Sequence, residues 1–149
     1  MKTLITIATF SLGISLAQAQ TVKEADVPGV VKQALKKQHP TAKVEKWEKE
    51  GANYEVEFQV NKIETCALYD EAGKFLESEI EIKESELPKG VAEYVSKNMS
   101  GKKIKESSKI TNASGIISFE AEIDKTDYIF DANGAFLKKE AKEKDEDKD

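Results

Sequence analysis

Tyr54-Glu55-Val56-Glu57-Phe58-Gln59-Val60-Asn61-Lys62-Ile63-Glu64-Thr65-Cys66-Ala67-Leu68-Tyr69-Asp70 is the stretch whose reading decides the fold. From Tyr54 to Val60 apolar and polar residues alternate strictly, the mark of a strand with one buried face. Asn61-Lys62 is a two-residue turn, which pairs Val60 with Ile63. Counting back sets Phe58 opposite Thr65, Val56 opposite Ala67 and Tyr54 opposite Tyr69. Working outward, four strands are expected at roughly 42–50, 53–60, 63–70 and 74–82. In the first of them Val44 and Trp47 differ by three, so a bulge must intervene, and the side on which Trp47 lies stays open. In the last, Leu76, Ser78, Ile80 and Ile82 alternate with Glu77, Glu79 and Glu81.

Upstream, Val27, Val30, Val31, Ala34 and Leu35 form a helical stripe. Asp26 is the expected N-cap, Pro28 suits the first turn, and Pro40 stops the helix after His39. The same order of signals returns downstream. Ser85-Glu86-Leu87-Pro88 opens a second helix carrying Leu87, Val91, Tyr94 and Val95, and Gly101 closes it. Phe119-Glu120-Ala121-Glu122-Ile123 then matches Tyr54-Glu55-Val56-Glu57-Phe58. A turn at Asp124-Lys125 brings Ala121 opposite Tyr128 and Phe119 opposite Phe130. Asp70-Glu71-Ala72-Gly73-Lys74-Phe75-Leu76 reappears as Asp131-Ala132-Asn133-Gly134-Ala135-Phe136-Leu137. The second hairpin is shorter by two residues per strand, an even change that leaves each side chain on its own face. The chain is therefore read as an internal duplication, about 24–83 and 84–138. The fold class is α+β: two tandem helix-plus-four-strand repeats forming an antiparallel sheet with helices on one face.

The 149 residues carry 23 basic and 28 acidic side chains, a formal charge of −5. Every basic residue is Lys, so the bidentate fork of Arg is missing and nucleic acid is not an expected partner. One Cys excludes an internal disulfide framework. At the N-terminus, Lys2 precedes an uncharged apolar run from Leu4 to Ala17, and Ala17-Gln18-Ala19 places small residues where a signal peptidase reads them. Residues 1–19 are expected to be a signal peptide cut after Ala19, leaving a soluble chain, periplasmic or secreted, with no later transmembrane segment. Residues 20–138 form the domain, and the Lys/Glu/Asp-rich stretch 139–149 is expected to be a disordered tail.

The chemistry is sparse. His39 sits at a helix end and is read as capping it, and Cys66, mid-strand with no His nearby, as a shielded thiol. The Asp-x-x-Gly loops lack the alternating acids of a calcium loop and are read as hairpin turns. Glu77, Glu79 and Glu81 are read as a solvated sheet edge. Asn98-Met99-Ser100 and Asn112-Ala113-Ser114 match the glycosylation pattern, which matters only in a eukaryotic secretory route. No catalytic residue, metal ligand or cofactor is expected, and the protein is not expected to be an enzyme. What remains is a surface. In the register above Leu68 and Ile129 fall at matching places on the helix-free side, flanked by Glu55, Glu57, Glu120 and Glu122. Outward apolar residues with an acidic rim mark a candidate partner-contact site.

Val27-Pro28, Val31, Ala34-Leu35, His39-Pro40, Val44, Trp47-Glu48, Tyr54-Glu55-Val56-Glu57-Phe58 and Asp70…Gly73-Lys74-Phe75-Leu76 together resemble the PepSY-like family, also described as beta-lactamase-inhibitor-like and common among exported proteins of Bacteroidetes bacteria. The resemblance covers about residues 24–138. The second repeat departs from it, lacking the Trp-Glu segment and carrying Ala121 and Ile123 where the pattern prefers Val and Phe. The resemblance implies the fold and an exported compartment; function follows only by analogy with PepSY domains that restrain proteases. The leading expectation is a non-enzymatic binding module that docks on or inhibits an envelope protein through its open sheet face. The alternative is a periplasmic small-ligand or cation-binding protein. The partner and the oligomeric state are not legible in the sequence.

Overall fold

The computed structural model describes residues 20–141, so the expected signal peptide and the end of the expected tail lie outside the described residues. Nine strands follow one another in chain order in one antiparallel sheet: β1 (Gln20–Val22), β2 (Lys43–Glu50), β3 (Asn53–Val60), β4 (Ile63–Asp70), β5 (Phe75–Glu81), β6 (Glu106–Asn112), β7 (Ile117–Ile123), β8 (Thr126–Asp131) and β9 (Phe136–Ala141). Helix α1 (Gly29–Gln38) lies between β1 and β2, and α2 (Lys89–Asn98) between β5 and β6. The chain divides into two compact units. One runs up to Glu81 and includes Ile110–Ile116; the other comprises Ile82–Lys109 and the chain from Ile117 onward. The unit boundary thus falls inside β6, at Lys109 and Ile110.

In the first unit the deciding hairpin has the register expected of it. Val60 pairs with Ile63, Phe58 with Thr65, Val56 with Ala67 and Tyr54 with Tyr69. Asn61 and Lys62 both take positive φ, 54° and 68°, the paired left-handed conformation of a tight hairpin. The register of β2 against β3 slips between Val44 and Lys46, which is the bulge the spacing demanded. It turns Trp47 inward. Val27, Val31 and Leu35 of α1 and its entry pack on Trp47, Tyr54, Val56, Phe58, Ala67 and Tyr69. Tyr69 also donates a hydrogen bond to Oε1 of Gln38 at 2.6 Å, tying the end of α1 to β4.

The second unit repeats this scheme. Phe119 pairs with Phe130 and Ala121 with Tyr128, as expected. Val91 and Val95 of α2 pack on Ala121, Ile123 and Phe130. Bulges fall at equivalent places, between Leu68 and Tyr69 and between Ile129 and Phe130. The duplicated loops explain their own glycines. Oδ1 of Asp70 accepts from the amides of Ala72 and Lys74, and Oδ1 of Asp131 from those of Asn133 and Ala135. One oxygen of each carboxylate is thus taken up by its own turn. Gly73 and Gly134 hold φ of +79° and +83°, and a Cβ there would meet backbone of the unit's own helix, at 2.8 Å from the Val30 oxygen and 2.9 Å from the Gly90 Cα.

Some expectations are corrected. Asp26 lies in a single 3-10 turn, and the N-cap of α1 is Pro28. Extended backbone at Val27 and Pro28 starts the helix two residues later, at Gly29. The stretch 139–141, expected to begin the tail, belongs to β9, where Tyr128, Ile129 and Asp127 pair with Lys139, Lys138 and Glu140. Phe136 holds that strand down by stacking on Tyr94 of α2, ring centroids 4.8 Å apart. Residues Gln20–Val22 add an unexpected strand along β2.

Candidate functional site

Alternation along β2–β5 places Lys46, Glu48, Glu55, Glu57, Cys66, Leu68, Glu77 and Glu79 on the face away from α1. Leu68 and Ile129 do lie on the helix-free side of their units, directly across from Glu55 and Glu120. They are not exposed there. Leu68 is 7% and Ile129 5% accessible, which corrects the expectation of an open apolar centre. Each sits on an inner strand between two long neighbours, Glu55 and Glu77 for Leu68, Glu120 and Lys138 for Ile129, whose aliphatic stems flank it.

The acidic rim is also deeper than expected. Glu55 is 1% accessible, and Glu120 and Glu122 are buried, while Glu57 is half-buried. The solvated-edge reading of Glu77, Glu79 and Glu81 is corrected as well. β5 is flanked by β4 and β6, Glu79 is fully buried, and of the three only Glu81 is exposed.

One group of carboxylates converges. Glu48 faces Glu55 across the β2–β3 ladder, and Glu57 follows two residues on. Glu48, Glu55 and Glu57 each offer an oxygen within 4.8 Å of the other two. Lys46 reaches the half-exposed side of the group, its Nζ 2.8 Å from Glu48 and 3.7 Å from Glu57. No nitrogen or hydroxyl donor reaches either oxygen of Glu55. Burial first, and then the neighbouring Glu50 with which it can share a proton, push the Glu55 carboxyl up to about 10. Burial also raises Glu57, against the opposing pull of Lys46. Sequence reasoning placed Glu55 and Glu57 on this face but missed Glu48. The signal was available: once the bulge fixes the register of β2, Glu48 must stand beside Glu55.

The remaining candidates are structural. His39 is the C-cap residue of α1, and its ring packs on Phe58 at 4.8 Å. Burial lowers its pKa from 6.5, favouring the neutral ring over a cation at the helix end. Cys66 is buried among acids, and burial with the charges of Glu55 and Glu79 raises its thiol far above the range of a nucleophile. No described helix is long and apolar enough to cross a membrane.

Solved structures share this architecture. A periplasmic protein from Bacteroides eggerthii matches with a TM-score of 0.68 at 19% identity, over 76% of this chain and 88% of that one. A DUF2874 family protein from Bacteroides uniformis matches at 0.67 and 21%, over the same shares. A BLIP-like protein from Bacteroides fragilis matches at 0.64 and 21%, over 82% of this chain and 92% of that one. No curated protein matches the chain. The family model described as "Putative beta-lactamase-inhibitor-like, PepSY-like" matches twice, over residues 15–77 and 64–138, once for each repeat. With both repeats matched, the chain belongs to the PepSY-like, beta-lactamase-inhibitor-like family.

Proposed function

We propose that this chain is an exported, non-enzymatic binding module that docks on a protein of the cell envelope through the helix-free side of its sheet. The observation that carries this reading is a repeated one. Each repeat sets an aliphatic residue directly across from a glutamate, Leu68 opposite Glu55 and Ile129 opposite Glu120, with a second glutamate two residues on. Carboxylates buried beside one another weaken a fold, so a buried glutamate kept on the same face in both repeats supports recognition rather than stability. Its charge suits a basic or mixed protein surface. The periplasmic description of the eggerthii protein and the inhibitor-like description of the family support the compartment and the mode of action.

A photo-crosslinking side chain at Glu57, compared with one at Lys37 on the exposed side of α1, tests this in intact cells. The expected result is an adduct from position 57 and none from 37. The captured protein, once purified, should bind the Glu57→Lys variant about tenfold more weakly, the scale of one interface charge reversal. Equal capture from both positions, or unchanged affinity for Glu57→Lys, would refute the assignment of the face.

A further inference from the structure

We propose that Asn133-Gly134, in the turn between β8 and β9, is a site of spontaneous deamidation that docking of this turn on α2 holds in check. It is the single Asn-Gly pair in the sequence. Glycine, with no Cβ, leaves its backbone nitrogen unshielded from the side chain before it. The reaction needs no enzyme and no oxidant. The Gly134 nitrogen, having given up its proton, attacks Cγ of Asn133. The new C–N bond closes a succinimide ring, and the Cγ–Nδ2 bond breaks as ammonia leaves. Water then opens the ring at either carbonyl. One opening leaves aspartate; the other leaves isoaspartate, whose main chain runs through the β carbon and is one atom longer.

Access and restraint meet at this dipeptide. Asn133 is exposed, so water reaches its amide, whereas Gly134 is buried. The Gly134 N–H donates to the Asp131 carbonyl oxygen at 2.9 Å, which keeps the attacking nitrogen protonated and directed at that oxygen. Oδ1 of Asp131 holds the amides on either side, those of Asn133 and Ala135, at 2.8 and 2.9 Å. The peptide joining Asn133 to Gly134 also lies on the first turn of α2. A Cβ on Gly90 would sit 2.9 Å from the Asn133 carbonyl oxygen and 2.7 Å from that of Gly134. The nitrogen is therefore free to react only when the turn lifts, and the rate follows the population of that open form. A main chain one atom longer has no room against Gly90, so the isoaspartyl product cannot dock as before. A transient opening becomes a permanent one. The first repeat builds the same turn on Asp70 but carries Ala72 before Gly73, and Ala has no amide to lose.

The test incubates the purified protein in mildly alkaline buffer, with and without denaturing urea. Mass spectrometry follows the tryptic peptide Thr126–Lys138, and enzymatic methyl transfer reports isoaspartate. In urea, Asn133 should deamidate faster than Asn112, which precedes Ala113. In native buffer the Asn133 rate should fall about tenfold or more, because reaction waits on local opening. Asp131→Ala removes the Oδ1 acceptor and should raise the native rate severalfold, measured well below its own melting transition. Asp131→Asn keeps that oxygen and should leave the rate near the parent's. Asn133→Asp carries the new charge without the longer chain and should melt close to the parent, while purified isoaspartyl protein should melt lower. Equal rates in native buffer and urea would overturn the proposal. So would a rate in urea no faster than that of Asn112, a native rate unmoved by Asp131→Ala, or an isoaspartyl form that melts with the parent.

Discussion

A carboxyl group as deep as that of Glu55 takes up a proton on folding, and this sets the sign of a measurable linkage. Its pKa rises from 4.5 to about 10, driven by burial and then by Glu50. Between those values the folded chain holds a proton that the unfolded chain has released, so this group's contribution to stability falls as pH rises. His39, whose pKa is lowered, acts with the opposite sign, but only below its unfolded value of 6.5. From about pH 7.5 to 8.5 the unfolding free energy should therefore decline, with a slope approaching about 1.4 kcal/mol per pH unit for one proton, and the melting temperature with it. Glu55→Gln should flatten that slope and melt higher than the parent at pH 8; an unchanged slope would show that another group carries it. His39→Ala should cost about 1 kcal/mol, read by denaturant unfolding, through loss of its packing on Phe58. Partner capture should survive it.

At the scale of the element, the duplicated turns make sharper forecasts. Lys62 and Lys125 hold φ of 68° and 61°, where a side chain is strained and glycine is not. Lys62→Gly and Lys125→Gly should each stabilise by about 0.5–1 kcal/mol in chemical denaturation, the strain relieved less the added chain entropy. Gly73→Ala and Gly134→Ala should destabilise by roughly 2–3 kcal/mol, since each combines positive φ with backbone under 3 Å away. Gly51→Ala isolates the first effect: φ is +58° there, but nothing lies within 4 Å of the added carbon, so about 1 kcal/mol is expected. If Gly51→Ala costs as much as Gly73→Ala, the close approach of loop to helix contributes nothing. These elements were readable because alternation and turn residues act locally. β9 was not readable: Lys138, Lys139 and Glu140 show no apolar period, and the strand is held by backbone pairing with β8 and by the stack of Phe136 on Tyr94.

Over the whole molecule, the sequence told which side of the sheet each residue takes but not how deep it lies. Pleating assigns Leu68, Ile129 and the glutamates to the helix-free side by parity alone, and the structure agrees. Burial depends on what stands on neighbouring strands, and parity carries no information about that. The convergence of Glu48 with Glu55 was hidden for a related reason, since it rests on a bulge whose position the spacing implied but did not fix. The expected export can be checked apart from all this: mass spectrometry of the secreted material should find Gln20 at the N-terminus, and an intact Met1 would refute the cleavage. Chain-order pairing, finally, bears on how the protein reaches its native state. Among the described residues no ladder joins strands that have another strand between them in the chain. Apart from β1–β2 and β5–β6, whose connections carry the helices, each pairing closes a short turn at small entropic cost, which keeps contact order low for so much sheet. Each hairpin can form without waiting for distant sequence. Refolding followed through Trp47, the single tryptophan, should accordingly fall toward the millisecond end of the range for β-rich domains.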